Sequence, residues 1–389
     1  MHHLMQRRGR RDVRVLGVVA IACLIATSSG VQAANAGMAI HLASATMKSA
    51  TVGWGIDRRL GGQLVHTGNG GRTWTNVTPH DVTFDEATDN TSYSPPLPPH
   101  NTVTWYRSGS MAGTATLIAR SARGTGILMI SETNDGGRLW HQWTVRLADL
   151  VDGAVHDPIV TEADFVNAAD GWLLVGPAYG IAAGMGYVGM ELWHTTDAGH
   201  VWTRVYQIPG SSITAVSPVT FTSATTGWMT EQKGNNNRIL LHTTNAGHAW
   251  SQVPLTGVAP PDGTPIFHGA SGVLFVRNKK YEVMESTDSG QNWGRPQYIP
   301  ASKSGLSIFK VSAVNPQVLW NSTGNTLWRT VNGGRTWTVQ GHAAILTHDT
   351  AMDVVNRRLG WVWDATVGDP STMASTTNGG RTWTPVLVP

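Results

Sequence analysis

The stretch His66 to Trp74, which reads HTGNGGRTW, decides the fold because its pattern returns six more times along the chain. Every copy fits Ser/Thr-x-Asp/Asn-x-Gly-x-x-Trp, and we call these segments the box turns. Their marker residues are Asn69, Gly71, Trp74; Asp135, Gly137, Trp140; Asp197, Gly199, Trp202; Asn245, Gly247, Trp250; Asp288, Gly290, Trp293; Asn332, Gly334, Trp337; and Asn378, Gly380, Trp383. Seven copies in register predict a repeat architecture.

The pattern is that of a stapled hairpin turn. An Asp or Asn oxygen can accept backbone N–H groups of its own turn, and Gly supplies the positive φ that a short hairpin loop needs. The Trp then packs back over the loop. Asn replaces Asp in four of the seven copies. A turn needs only an oxygen acceptor, whereas a catalytic carboxylate would not tolerate that exchange, so the sequence predicts a structural role for these residues.

The residues around each box turn read as short strands. Examples are VTFTSA (219–224) before the fourth turn and WTRVYQI (202–208) after the third. Four such strands in a unit of about 45 residues are typical of a propeller blade. We therefore predict an all-β fold over residues 34–389, a single seven-bladed β-propeller of four-stranded antiparallel blades. The expected blades are approximately 38–78, 79–144, 145–206, 207–254, 255–297, 298–340 and 341–389. Blades 1 and 7 are expected to meet without a swapped strand, and a closing strand from residues 34–38 is the alternative.

The first 33 residues read as a secretory signal peptide. Five arginines precede a twelve-residue apolar run from Val15 to Ala26, and Val31-Gln32-Ala33 resembles a cleavage site. The run is shorter than the roughly 20 residues that span a bilayer. An uncleaved anchor is the alternative, and it would be the chain's one link to a membrane. We expect an exported protein on the extracellular or cell-envelope side.

Composition excludes several classes of function. The chain has one cysteine, Cys23, within the leader, which excludes a disulfide scaffold and a cysteine-based zinc site. Without the leader, 23 basic residues face 24 acidic ones. No basic tract remains to bind nucleic acid by counterion release, so no nucleic-acid partner is expected.

The box turns, combined with Gly-Trp pairs such as Gly53-Trp54 and Gly360-Trp361, resemble the Asp-box or bacterial neuraminidase repeat. That repeat occurs in sialidases, xyloglucan-cleaving glycosidases, sortilin-type receptors and photosystem II assembly factors. The arrangement over nearly the whole exported chain looks most like the photosystem II assembly and stability factors and their relatives. The resemblance implies the propeller fold, whereas these relatives perform different functions on one scaffold.

Evidence for an enzyme is weak in the sequence. The Arg-Ile-Pro segment that sialidases carry is missing, and Arg72, Arg138, Arg335 and Arg381 lie inside box turns as exposed turn residues. A glycosidase would need two carboxylates on either side of the bond that it cleaves. The candidate acids are Asp149, Asp152, Asp157, Glu162, Asp164 and Asp170. We interpret them as solvated loop charges, with a carbohydrate-active enzyme as the alternative.

No cofactor or metal site is expected. The string from Gly184 to Gly189 spells GxGxxG but lacks the βαβ pattern and the downstream acid of a dinucleotide site. The pairs His194/His200 and His242/His248 span hairpin turns without the usual ligand spacing, which favours turn residues.

Two insertions account for the two long repeats. Residues 80–104 are rich in proline, and residues 176–190 (GPAYGIAAGMGYVGM) are apolar and uncharged. In the resembled fold both would rise from the face opposite the box turns. The second insertion suits either an adaptable contact for a protein partner or a plug over the channel mouth. The candidate binding residues are Tyr179, Met185, Tyr187, Trp105 and Asp164. The sequence thus predicts a non-enzymatic, exported scaffold that binds a protein or peptide, with carbohydrate as the alternative ligand.

Overall fold

The computed structural model describes residues 40–58, 62–84, 101–108, 113–120, 127–147, 158–167, 169–177, 190–208, 213–216, 219–233, 237–255, 257–277, 281–300, 311–323, 325–342, 345–346, 350–364 and 371–387. The predicted leader and the closing segment 34–38 lie outside these residues. Within them no helix is long and apolar enough to cross a bilayer.

The described residues form seven sheets, one for each box turn, so the predicted seven-bladed all-β propeller is confirmed. Blades 1 to 3 contain β1 (Leu42–Met47), β2 (Gly53–Asp57), β3 (Gln63–Thr67), β4 (Thr75–Asn76); β5 (Val82–Phe84), β6 (Asn101–Ser108), β7 (Ala115–Arg120), β8 (Ile127–Thr133), β9 (His141–Arg146); and β10 (Pro158–Phe165), β11 (Gly171–Pro177), β12 (Met190–Thr195), β13 (Thr203–Ile208).

Blades 4 to 7 follow in chain order. Their strands are β14 (Ile213–Val216), β15 (Thr220–Phe221), β16 (Gly227–Lys233), β17 (Asn237–Thr243), β18 (Ser251–Gln252); β19 (Ile266–His268), β20 (Ser271–Arg277), β21 (Tyr281–Ser286), β22 (Gln297–Tyr298); β23 (Val311–Asn315), β24 (Val318–Thr323), β25 (Thr326–Thr330), β26 (Thr338–His342); and β27 (Thr350–Val354), β28 (Gly360–Asp364), β29 (Met373–Thr376), β30 (Thr384–Leu387).

Two blades add to the four-stranded antiparallel plan. In blade 2 the start of the first insertion forms β5, which pairs in parallel with β6 at the inner edge of the sheet. In blade 4 the inner strand is divided into β14 and β15, and both pair with β16. Each of the other five sheets has four antiparallel strands in chain order.

The core lies between the blades, in seven buried clusters that each join one blade to the next. Because both faces of a blade are covered, its central strands are apolar at consecutive positions. In β11, for example, Trp172 to Val175 are all buried. Most junctions hold a second-strand Trp from one blade and the box Trp of the next, as Trp54 and Trp140 do between blades 1 and 2.

Blades 1 and 7 meet through direct hydrogen bonds, which close the ring. The indole N–H of Trp361 donates to the Gly70 carbonyl at 3.0 Å. The Met47 N–H donates to the Asp353 carboxylate at 2.6 Å, and Ser371 N–H donates to the Ile40 carbonyl at 2.8 Å. Closure therefore brings the first and last box turns side by side.

Candidate binding surface

The seven box turns share a rim with the hairpins that immediately precede β2, β7, β11, β16, β20, β24 and β28. We call this rim the box rim. In every blade the residue after the box Asp or Asn donates its backbone N–H to a carbonyl of that hairpin. The donor and acceptor pairs are Gly70–Thr51, Gly136–Gly113, Ala198–Ala169, Ala246–Thr225, Ser289–Ala270, Gly333–Gln317 and Gly379–Arg358, at 2.7 to 3.1 Å. This bond attaches each turn to its own blade.

The polar atoms inside each turn are engaged with one another. The Ser or Thr hydroxyl donates to the Asp or Asn Oδ1 at 2.8–3.1 Å and accepts the N–H of the box Gly. The same Oδ1 accepts the N–H four residues later at 2.8–3.0 Å. Each box Gly has a φ between 79° and 92°. Donors on Asn292 and Ser286 lower the pKa of Asp288. These carboxylates and amides shape the turn.

The residue after each box Gly points outward. The seven residues at this position are Arg72, Arg138, His200, His248, Gln291, Arg335 and Arg381, and all are exposed. This position is an arginine in blades 6, 7, 1 and 2, which are consecutive in the closed ring. We call Arg335, Arg381, Arg72 and Arg138 the arginine arc.

Three of the four arginines in the arginine arc lie in turns whose box residue is a neutral asparagine. Blades 6, 7 and 1 carry Asn332, Asn378 and Asn69 in their boxes, so three of the four arginines have no box carboxylate in their own turn. In blade 2 the box residue is Asp135. The box rim is thus divided into a cationic part and a part that carries histidine and glutamine.

The residue before the box Ser or Thr reaches toward the turn of the following blade, and in blades 5 and 2 this residue is a glutamate. Glu285 of blade 5 binds Arg335 of blade 6 with an N–O distance of 2.7 Å. Burial raises the pKa of Glu132 in blade 2, whereas the Thr116 hydroxyl and the charge of His200 in blade 3 act to lower it.

Two further residues at this position, Arg329 and His66, lie beside arginines of the arginine arc. Burial, followed by the charges of Arg381 and Arg357, lowers the pKa of Arg329 in blade 6. The Nη1 of Arg329 donates to the Arg357 carbonyl at 2.8 Å, and its Nε has no hydrogen-bond partner in the described part of the chain. Burial, followed by the charge of Arg138 in blade 2, also lowers the pKa of His66 in blade 1. Burial therefore keeps His66 neutral, whereas the positive charge of Arg329 beside Arg381 and Arg357 favours an anionic group from outside.

The structure describes the predicted binding residues only in part. Tyr179, Met185 and Tyr187 are outside the described residues, and for Trp105 the structure describes the backbone alone, within β6. Asp164 lies on β10, and its carboxylate accepts the N–H of Phe221 from blade 4 at 2.6 Å. Asp353 holds Met47 in the same manner between blades 7 and 1. Asp164 therefore joins two blades.

The other predicted acids divide into two groups. Asp149, Asp152 and Asp157 are outside the described residues. Burial, and then the charge of Asp164, raise the pKa of Glu162 on β10. Asp170 accepts the side-chain amide of Asn167 at 2.8 Å and lies 3.7 Å from His194 Nε2, within a strand-joining turn.

The histidine pairs pack against aromatic rings. His194 stacks on Trp172 with centroids 4.5 Å apart, and His242 stacks on Trp228 at 4.1 Å. Burial lowers the pKa of both imidazoles. Among the described residues no group of three or more His, Cys, Asp or Glu side chains is placed to hold a metal ion.

The arginine arc was not predicted from the sequence, although its four members were predicted to be exposed turn residues. Their common position after the box Gly was the available signal. What it could not show directly is that blades 6 and 7 continue into blades 1 and 2, because this adjacency follows from ring closure.

No protein-family model and no curated protein sequence matches this chain. Solved structures do match it. A structure of YCF48 bound to D1 peptide is 13% identical over 91% of this chain and 93% of its own, with a TM-score of 0.48. YCF48 from Cyanidioschyzon merolae is 11% identical over 90% of this chain and 97% of its own, with a TM-score of 0.49.

A third match is prolyl oligopeptidase B from Galerina marginata, in its apo form. It is 10% identical over 88% of this chain and 50% of its own, with a TM-score of 0.53. At these identities the likeness concerns the fold alone.

Proposed function

We propose that this chain is a non-enzymatic scaffold that binds a protein or peptide partner, and that the arginine arc of the box rim contacts acidic groups of that partner. The observation that carries the proposal is the concentration of Arg335, Arg381, Arg72 and Arg138 on four consecutive blades. Residues 34–389 as a whole are close to neutral, with 23 basic and 24 acidic residues. Such an uneven charge distribution favours a partner of complementary charge.

The chemistry of the arc suits carboxylates. A guanidinium presents its donors in a planar fork that matches the two oxygens of a carboxylate. The arc arginines are solvent-exposed, whereas their own box residues in blades 6, 7 and 1 are amides, which do not neutralise them. An acidic partner segment would therefore meet the guanidinium groups of Arg72 and Arg381, and it would compete with Glu285 for Arg335.

The predicted insertion face remains a second proposal for the partner contact. Residues 80–104 and 176–190 rise, in the resembled fold, from the side opposite the box rim. Tyr179, Met185 and Tyr187 would supply aromatic and flexible apolar contact there. The two surfaces make different predictions, since an apolar loop contact is weakly sensitive to salt and an arginine contact is strongly sensitive to it.

The experiment compares the exported chain with two variants. The first combines Arg72→Gln, Arg335→Gln and Arg381→Gln; Gln291 occupies the same position in blade 5, so the substitution suits the turn. The second lacks residues 182–187. Partners cross-linked in extract of the source organism are identified, purified and titrated against all three proteins at two salt concentrations.

We expect the triple variant to bind more weakly by about tenfold or more for each arginine engaged, with a reduced salt dependence. Loss of binding in the loop deletion alone would place the contact on the insertion face. If a purified partner binds both folded variants as tightly as the parent, both surfaces are rejected.

A carbohydrate-active enzyme is the second candidate, and the raised pKa of Glu162 beside Asp164 favours it. Two neighbouring carboxyl groups whose pKa values differ are the arrangement that a glycosidase uses. Turnover of sialosides or β-glucans by the parent chain, abolished in both Glu162→Gln and Asp164→Asn, would establish that activity. Absence of turnover on these substrates supports the scaffold.

A further inference from the structure

Three Asn-Gly dipeptides occur in the whole sequence, and all three lie in box turns of the arginine arc. They are Asn69-Gly70 in blade 1, Asn332-Gly333 in blade 6 and Asn378-Gly379 in blade 7. An Asn followed by Gly is prone to deamidation. The Gly backbone nitrogen attacks the Asn Cγ, the Nδ2 group leaves as ammonia, and water opens the resulting cyclic imide to aspartate or isoaspartate.

The attacking nitrogen is engaged in each of these turns. Gly70 donates its N–H to the Thr51 carbonyl at 2.7 Å. Gly333 and Gly379 donate to the carbonyls of Gln317 and Arg358 at 3.1 and 2.8 Å. The nitrogen must give up this bond before it can approach the side chain.

The amide that would be attacked is held on both sides. In blade 1 the Asn69 Oδ1 accepts the Thr67 hydroxyl and the Thr73 N–H, at 3.1 and 2.9 Å. The Asn69 Nδ2, which is the leaving group, donates to the Thr73 hydroxyl at 2.8 Å. The same bond joins Asn332 to Thr336 at 2.9 Å and Asn378 to Thr382 at 2.7 Å.

The threonine partner accompanies the dipeptide. The fourth box asparagine, Asn245, is followed by Ala246, and Ala249 stands where the other three turns have threonine. In the Asp288 turn the donor and acceptor roles are exchanged, because the side-chain amide of Asn292 donates to the Asp288 carboxylate at 2.7 Å. The three asparagines that precede glycine are thus the ones whose Nδ2 the turn holds.

We propose that Asn69, Asn332 and Asn378 are latent deamidation sites that the closed box turn protects, and that opening of a turn converts a neutral residue of the arginine arc into a carboxylate. The aspartate product fits the turn, since Asp135, Asp197 and Asp288 occupy this place in other blades. Isoaspartate adds a methylene to the backbone and cannot restore the turn's hydrogen bonds. Each event places a negative charge in the same turn as Arg72, Arg335 or Arg381.

The test follows deamidation of the full chain in mildly alkaline buffer by peptide mass spectrometry, and it needs no partner. We expect all three sites to react at least about tenfold more slowly in the folded chain than in urea. Equal rates in the two states would overturn the proposal. Because this measurement is independent of binding, its failure leaves the proposed function untouched.

A matched pair of variants tests the threonine contact. Thr73→Val removes the acceptor for Asn69 Nδ2 with little change in shape, and Thr73→Ser keeps it. We expect Asn69 to deamidate about two- to tenfold faster in Thr73→Val and at the parental rate in Thr73→Ser. Asn332 and Asn378 in the same molecule are internal controls. An unchanged rate at Asn69 in a folded Thr73→Val protein contradicts protection by the threonine; faster reaction at all three sites reports unfolding and supports protection by the fold.

Discussion

Blades 1, 2, 6 and 7 read Gly-Gly-Arg in their box turns, whereas blades 3 and 4 read Ala-Gly-His and blade 5 reads Ser-Gly-Gln. The backbone is nevertheless alike. The first residue of the triplet has a φ of 68–79° in the four glycine blades and 58–62° in the other three. In both groups its N–H donates to the hairpin of the same blade.

The groups differ in the room around that first residue. A Cβ added to Gly70 would lie 2.7 Å from the Ala50 carbonyl oxygen, and one added to Gly136 would lie 3.2 Å from the His66 ring. At Gly333 and Gly379 it would collide with the side chains of Glu285 and Arg329. Ala198, Ala246 and Ser289 show that the left-handed backbone itself is tolerated. Close contact with a backbone oxygen therefore requires glycine at Gly70, whereas the side-chain ends of Glu285 and Arg329 can move away from a Cβ at Gly333 and Gly379.

The largest effect is expected from exchanging these residues between the groups. Gly70→Ala should reduce the free energy of unfolding by about 2–3 kcal/mol, because the left-handed strain adds to the contact with a backbone oxygen. Urea denaturation of the two proteins measures the difference.

The reverse exchange is the control. Ala246→Gly should change the free energy of unfolding by less than about 0.5 kcal/mol, since relief of strain is offset by the greater freedom of glycine in the unfolded chain. A loss of about 1 kcal/mol or less in Gly70→Ala, which left-handed strain alone would explain, would show that the contact with Ala50 does not separate the two groups.

A second test asks whether junctions inside and outside the arginine arc are held alike. Trp361 donates to the Gly70 carbonyl and Trp172 to the Ala246 carbonyl, both at 3.0 Å. The buried indole N–H of Trp320 has no hydrogen-bond partner among the described residues. Replacing Trp361 or Trp172 with Phe should cost about 1–2 kcal/mol more than Trp320→Phe, because each leaves a carbonyl unpaired. Equal values for the three variants in urea would remove the assigned role of the indole bonds.

The histidines before the box threonine make the stability of blades 1, 3 and 4 sensitive to acid. Burial lowers the pKa of His66, His194 and His242 from the ordinary 6.5. Below about pH 6.5 the unfolded chain binds protons that the folded chain resists, so stability falls as the pH decreases. His242→Gln should reduce the loss of stability between about pH 7.5 and about pH 5.5. The parent and the variant have the same carboxylates, so the titration of those groups does not affect the difference between them. An unchanged pH dependence of stability would show that His242 does not contribute.

The smallest effect concerns charge within the arginine arc. Arg335 pairs with Glu285, whereas Arg381 faces Arg329. Arg335→Gln should therefore lower the free energy of unfolding by about 0.2–1 kcal/mol, as expected for a surface ion pair. Arg381→Gln should leave it unchanged or raise it slightly. A loss for Arg381→Gln equal to that for Arg335→Gln, in low-salt urea denaturation, would contradict the like-charge contact.

Much of the fold was predictable because its signal is local. Thr67, Asn69, Gly71 and Trp74 lie within eight residues, and the hydrogen bonds that form the turn join atoms within that segment. The number of blades followed from the number of turns. The additional strand β5 was not predicted, since it pairs with residues 101–103 of β6, at the far end of the same insertion.

The contacts between neighbouring blades were predicted less well. Asp164 was a binding candidate by its place in a run of acids, yet its carboxylate holds an N–H of Phe221, 57 residues away. Such a contact depends on how one blade lies against the next, which composition and periodicity do not report. Tyr179, Met185, Tyr187 and the side chain of Trp105 remain predictions.

The chain's own order of residues determined seven turns, a tryptophan for each and a blade around each, because every one of these features depends on neighbours a few positions away. Ring closure decided which turns stand together. Arg335 and Arg381 near one end of the chain join Arg72 and Arg138 near the other, and the Trp361–Gly70 bond spans 291 positions. Electrostatic attraction depends on distance in space, so this cationic surface exists only in the closed ring.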